Sequence, residues 1–223
     1  MPTTRFLAAS GSAKPVAGGY FQTLPPGSPL PSDSECAARV RRSTWEPRPE
    51  NAVANNTTPS SLALGNTFPG VSRVTGNFTG TTDEIMQWAS CKWGISDDLT
   101  RVQAVSESYW KQSTQGDIET DPSHCASGYS VPCPTSFGLL QLRWYFREGS
   151  WPWAATSTAF NADYSRAEFR SCYEGTTWLG AQTRGDIDGC LDVYFSGRWQ
   201  QSSAAFYHQG VKTHLAEKPW LSW

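Results

Sequence analysis

The chain has 223 residues, a formal net charge of −2 and a pI near 5.9, which argues against a basic nucleic-acid surface or a polybasic membrane anchor. No run approaches the roughly 18 apolar residues of a membrane span, and the length suits one well-buried domain with a decorated terminus. Aromatic residues make up 13% of the chain, with 11 Trp, enough both to fill a core and to line a cleft with rings.

The start, Met1-Pro2-Thr3-Thr4-Arg5-Phe6-Leu7, has no apolar core of signal-peptide length. Residues 1–80 are rich in Pro, Gly, Ser, Thr and Asn, and Pro25-Pro26-Gly27 and Pro29-Leu30-Pro31 break any helical period. Because Cys36, Trp45, Phe68 and Phe78 recur through it, this N-terminal segment is expected to wrap in part over the body as extended coil. Asn55-Asn56-Thr57-Thr58 and Asn77-Phe78-Thr79 match glycosylation sequons, which matter in a eukaryotic secretory pathway.

Residues 81–223 form the second unit. Thr81-Thr82-Asp83-Glu84 reads as an N-cap with acids in the first turn; Ile85, Trp88, Ala89 and Lys92 follow at helical spacing, and Gly94 marks the stop. Asp97-Asp98 opens another helix with Leu99, Val102, Val105 and Tyr109 as its buried stripe. Glu107 lies off that stripe, free to face a cleft at the helix end. Gly138 to Phe146 reads as a short helix, and Gly149-Ser150-Trp151-Pro152-Trp153 breaks the chain. Helices are predicted from about Thr158 to Tyr173, after Cys190 with Leu191, Val193, Tyr194 and Phe195, and from about Ser203 to Ala216. Nothing repeats at a fixed period, so the expected fold class is mostly α, with a coil-rich N-terminal extension and disulfides.

Six cysteines form no Cys-x-x-Cys pair, and His124, His208 and His214 make no ligand array, so no metal is implied. Six allow 15 pairings; the local choice is Cys125–Cys133, Cys172–Cys190 and Cys36–Cys91. Three disulfides imply an oxidising compartment and hence secretion.

The chemistry-bearing stretch runs from Val102 to Leu142, where Glu107-Ser108 ends a helix and Ser136-Phe137-Gly138-Leu139-Leu140-Gln141 follows. Apolar rings around a carboxyl, here Tyr109 and Trp110, disfavour its ionised form and let it hold a proton near neutral pH. This order resembles the lysozyme-like superfamily of soluble lytic transglycosylases and goose-type lysozymes, in which a Glu-Ser pair closes one helix and a Gly-Leu-Met-Gln-like turn opens the next. The match is direct at Glu107-Ser108 and at Gly138-Leu139-Leu140-Gln141, with Leu140 in place of the usual Met, and it covers about a fifth of the chain. Glu107 and Gln141 are 34 positions apart, about twice the spacing expected of a plain transglycosylase domain, and residues 116–134 are expected to form the surplus as a loop.

The resemblance implies a lysozyme-like fold, Glu107 as general acid and then base, and Gln141 and Ser136 lining the cleft. It also implies an active-site tyrosine from an Ala-Tyr-Asn-Ala-Gly-like motif. Ala159-Phe160-Asn161-Ala162 and Ala204-Ala205-Phe206-Tyr207 are two imperfect echoes, and Tyr207 is the candidate phenol. For a second carboxylate the candidates are Asp117, Glu119, Asp121, Asp163 and Glu174, with Asp117 first because it follows Gly116 just past the helix. Trp110 is a candidate substrate contact. The expected function is a secreted, monomeric enzyme, without cofactor, cleaving β-1,4-linked amino-sugar polymers. Peptidoglycan is the first substrate; chitin, another polysaccharide, or a non-catalytic carbohydrate-binding role are the alternatives. Neither nucleic acid nor a membrane span is expected as a partner.

Overall fold

A computed structural model describes residues 14–16 and 18–223; the segment Met1–Leu7 discussed above lies outside them. The fold is mostly helical, with three disulfides. In chain order the elements are α1 (Asp33–Arg39), α2 (Ala52–Asn55), α3 (Thr82–Trp93), α4 (Asp97–Ser108), β1 (Gln115–Glu119), β2 (Cys133–Phe137), β3 (Leu142–Arg143), α5 (Trp153–Thr156), α6 (Thr158–Glu174), α7 (Ile187–Ser196) and α8 (Ala205–Glu217).

Helix α3 starts where its cap dictates: Thr81 accepts the Glu84 N–H, and the Glu84 carboxylate accepts the Thr81 N–H at 2.9 Å. It stops at Gly94, whose left-handed φ of 57° a side chain would resist. All of α3 is buried, so it is the central helix and its charges must be matched inside. Asp83 meets Arg101 of α4 at 2.7 Å, and Lys92 meets Asp163 of α6 at 2.8 Å. Trp93 also donates to Asp163, at 2.6 Å. These bonds lock α3 between α4 and α6.

Several backbone donors between residues 18 and 43 are satisfied on side chains of the helical body. Tyr20 and Phe21 donate to Asp97 at 2.9–3.0 Å, Gly27 to Glu174 at 2.7 Å, and Ser43 to Glu84 at 2.8 Å. Cys36–Cys91 ties α1 to α3, Cys172–Cys190 ties α6 to α7, and Cys125–Cys133 closes the segment before β2. Among the sequons, Asn55 is buried with its amide on Glu46 and Thr82, while Asn56 and Asn77 are exposed.

Two expectations are corrected between residues 115 and 146. The surplus segment is a β-hairpin rather than a plain loop: β1 pairs antiparallel with β2, Gly116 opposite Ser136, and β3 adds to β2 with Arg143 opposite Ser136. Gly138 to Phe146 is not a helix. Left-handed Gly138 (φ 84°) and Gln141 (φ 45°) reverse the chain into β3, and only Trp144–Phe146 coils, as a 3₁₀ turn. Leu139, Leu140 and Leu142 are all buried because the reversal is plugged into the core, which imitates helical spacing in the sequence.

Candidate active site

The reversal at Gly138–Gln141 is fixed by side chains that claim every backbone group of two leucines. Leu139 N–H donates to Gln112 Oε1 at 2.9 Å and its carbonyl accepts from Ser108 Oγ at 2.7 Å. Leu140 N–H donates to Asn161 Oδ1 at 2.8 Å, and its carbonyl accepts from the Tyr194 hydroxyl. The Glu-Ser and Gly-Leu-Leu-Gln sequences are therefore physically joined: Ser108 holds the turn against the end of α4, one residue beyond Glu107. No side chain fits at Gly138, where a Cβ would lie 2.3 Å from Asn161 Nδ2 and 2.6 Å from the Ala154 carbonyl.

The turn, the hairpin, α6 and α7 enclose a cleft of about 900 Å³ whose lining includes Glu107, Asp117, Ser136 and Gln141. Ser136 Oγ donates to Asp117 Oδ2 across the β1–β2 ladder, holding that carboxylate at the cleft. Ser136 sits within β2, in the fourth of its five positions. Gln141 donates to the carbonyls of Gly138 (2.9 Å) and Thr114 (3.2 Å), and its Oε1 lies over Gly116, where a Cβ would come within 2.5 Å. Two arginines of the lining are matched already, Arg143 by Glu119 and Arg147 by Glu168 at 2.7 Å.

Glu107 is half-buried at the carboxyl end of α4, where the helix dipole disfavours negative charge. Burial pushes its carboxyl from 4.5 up to about 7, against the pull of a 2.5 Å hydrogen bond from the Tyr207 hydroxyl. The negative charge of Asp117 adds to the rise. Burial and the Glu107 charge hold the phenol of Tyr207 well above its ordinary value, so it remains a donor. Glu107 can thus keep a proton at neutral pH with a fixed partner behind it and a second carboxylate in the same cleft.

The source of this environment differs from the expectation. Trp110 has no exposed surface; its indole donates to the Arg101 carbonyl at 2.9 Å and packs on Trp220 and Trp223, so it is core rather than a substrate contact. Tyr109 is 55% exposed rather than part of the buried stripe, and it stacks on Trp223. The backbone sets this: α4 ends with Tyr109 (φ 55°) and Trp110 (φ 66°) both left-handed, and neither residue lines the cleft that holds Glu107.

Of the other carboxylates proposed from sequence, Asp163 is buried with Lys92, Glu174 pairs with Arg170 at 2.5 Å, Asp121 caps Ser123, and Glu119 holds Arg143. Tyr207 reaches Glu107 from α8 without lining the cleft. Sequence reasoning missed the aromatic rim: Trp178 (69% exposed), Phe146 (62%) and Phe195 (44%) all line the cleft, and Phe206 packs edge-on against Phe195. It also missed Gln112, which sits between Glu107 and Asp117 with nothing in the sequence to mark its bond to Leu139, and Glu168 and Tyr194, which lie far along the chain on α6 and α7. No protein-family model matches this chain, and neither a curated protein nor a solved structure matches it.

Proposed function

We propose that this protein is a glycoside-cleaving enzyme of lysozyme-like type, acting on β-linked amino-sugar polymers with Glu107 as its acid. One observation carries the reading: a carboxyl raised to about 7 stands in an open cleft, hydrogen-bonded to Tyr207 and accompanied by Asp117. A protonated Glu107 donates to the glycosidic oxygen as the bond to the anomeric carbon breaks. The carboxylate left behind is stabilised by the Tyr207 hydroxyl.

The second half-reaction has two routes. In hydrolysis, water adds to the anomeric carbon and gives its proton to Asp117, whose position the Ser136 hydroxyl fixes. In transglycosylation, a hydroxyl of the substrate attacks instead, and Glu107 takes the proton. Peptidoglycan is the first substrate and chitin the second; exposed rings along the rim suit the apolar faces of either glycan. Three disulfides support an extracellular setting, and among the described residues no helix is long and apolar enough to cross a membrane.

The test is mass spectrometry of products from peptidoglycan and chitin oligomers, with the parent chain and Glu107→Gln in parallel. The reading expects cleavage by the parent alone. Products lighter by one water identify transglycosylation, and ordinary reducing ends identify hydrolysis and make Asp117→Asn the next variant, to test the water-activating base. Equal cleavage by Glu107→Gln would refute the assignment, and binding without cleavage would return the chain to the carbohydrate-binding alternative.

A further inference from the structure

Arg166 is the least ordinary buried charge in the molecule. The other fully buried cations each meet a carboxylate: Lys92 with Asp163 at 2.8 Å, Arg101 with Asp83 at 2.7 Å, and Arg170 with Glu174 at 2.5 Å. Arg166, on α6, instead donates from Nη1 to an amide, Gln103 Oε1, at 2.6 Å, and among the described residues it has no ion pair. Its Nε and Nη2 have no hydrogen bond of ordinary geometry; the Tyr194 hydroxyl stands beside the guanidinium without aligning to it. A charge held this way needs a reason.

The bond to Gln103 sets the polarity of everything beyond it. Arginine can only donate, so the Gln103 oxygen must face it and the Gln103 Nε2 must face the other way. That nitrogen lies 3.4 Å from the Tyr207 oxygen, to which it donates. The Tyr207 oxygen therefore accepts there, and its proton points to Glu107 Oε1 at 2.5 Å. Gln103 and Glu107 are one turn apart on α4, while Arg166 and Tyr207 come from α6 and α8, so three helices close the chain.

We propose that Arg166 and Gln103 are positioning residues: a buried relay that aims the Tyr207 hydroxyl at Glu107 and supplies the counter-charge for its ionised form. The proposal rests on the reading of Glu107 as the catalytic acid. Its purpose would be to let an acid in a low-dielectric site give up its proton and then serve as base. The groups facing the relay are Tyr194 of α7, Tyr207 of α8, Asp117 of β1 and Glu107 itself. His214 of α8 meets Ser106 instead, at 3.3 Å. The rings of Phe169 and Tyr194 lie 5.1 and 5.8 Å from the guanidinium and complete its surroundings.

The experiment is an NMR titration of ¹³C-labelled glutamate carboxyls in the whole chain, with the Glu107 signal identified by its loss in Glu107→Gln. The parent should titrate near 7. Arg166→Met should move the midpoint up by about one pH unit, since an opposite charge has been removed, and Arg166→Lys should bring it back toward the parent. Gln103→Met, which keeps the cation but breaks the relay, should also raise the midpoint, and it decides the matter if Arg166→Met fails to fold. A midpoint unmoved in the folded variants would overturn the relay. The titration needs no substrate, so its result is separate from whether any glycan is cleaved: cleavage with an unmoved midpoint refutes only the relay.

Discussion

Replacing Glu107 with glutamine removes one ionisation and preserves the shape of the side chain, which makes the cost of keeping an acid at this site measurable. The carboxyl rises from 4.5 in an unfolded chain to about 7 in the fold. At about 1.4 kcal/mol for each tenfold change in proton affinity, that corresponds to about 3 kcal/mol. The side chain still touches solvent in the cleft, so about 2 kcal/mol is the expected figure. The sign follows from linkage: the folded state holds the proton more tightly, so this part of the stability is complete below pH 4.5 and is lost as pH rises through 7. Glutamine cannot ionise, and its oxygen can still accept from Tyr207. Glu107→Gln should therefore match the parent in urea denaturation at pH 4 and exceed it by about 2 kcal/mol at pH 8.5. A difference that does not change with pH, or a variant weaker than the parent at pH 8.5, would refute the reasoning.

Removing the Tyr207 hydroxyl with Tyr207→Phe deletes the 2.5 Å bond to Glu107, so the alkaline limb of activity should move above pH 7 and kcat should fall about tenfold or more; a pH–rate series checks both. Gly138→Ala should cost about 3 kcal/mol or more in denaturant unfolding, because a Cβ there overlaps Asn161 and Ala154 in a left-handed backbone. Trp178→Ala removes a ring that stands 69% exposed at the cleft rim, and it should raise KM for long oligosaccharides about two- to tenfold with kcat nearly unchanged.

Local rules made much of the fold legible. Thr81 with Glu84 fixed the start of α3, Gly94 its end, and residues 158–174 followed a plain helical period. The cysteines paired locally, as spacing alone suggested. What the sequence hid was backbone handedness. Nothing in the letters of Tyr109 and Trp110 announces two successive left-handed residues, yet that geometry decides that Trp110 is core and Tyr109 surface. The same holds at Gln141, whose positive φ turns an apparent helix into a strand reversal. At the site, Glu107, Asp117 and Gln141 were readable because they sit on one contiguous stretch. Gln103, one turn before Glu107 on α4, left a signal as an amide among apolar positions, whereas Arg166 and Tyr194 join only through the packing of α4, α6 and α7.

The central claim is that Glu107 delivers a proton to a glycan from a carboxyl that titrates near neutrality. It is tested most directly by the pH dependence of kcat on amino-sugar oligomers, measured for the parent chain and Glu107→Gln together. Activity that falls as pH rises through about 7, and is absent from the variant, is the predicted result. Activity retained by Glu107→Gln, or a parent profile with no limb near 7, would contradict the account.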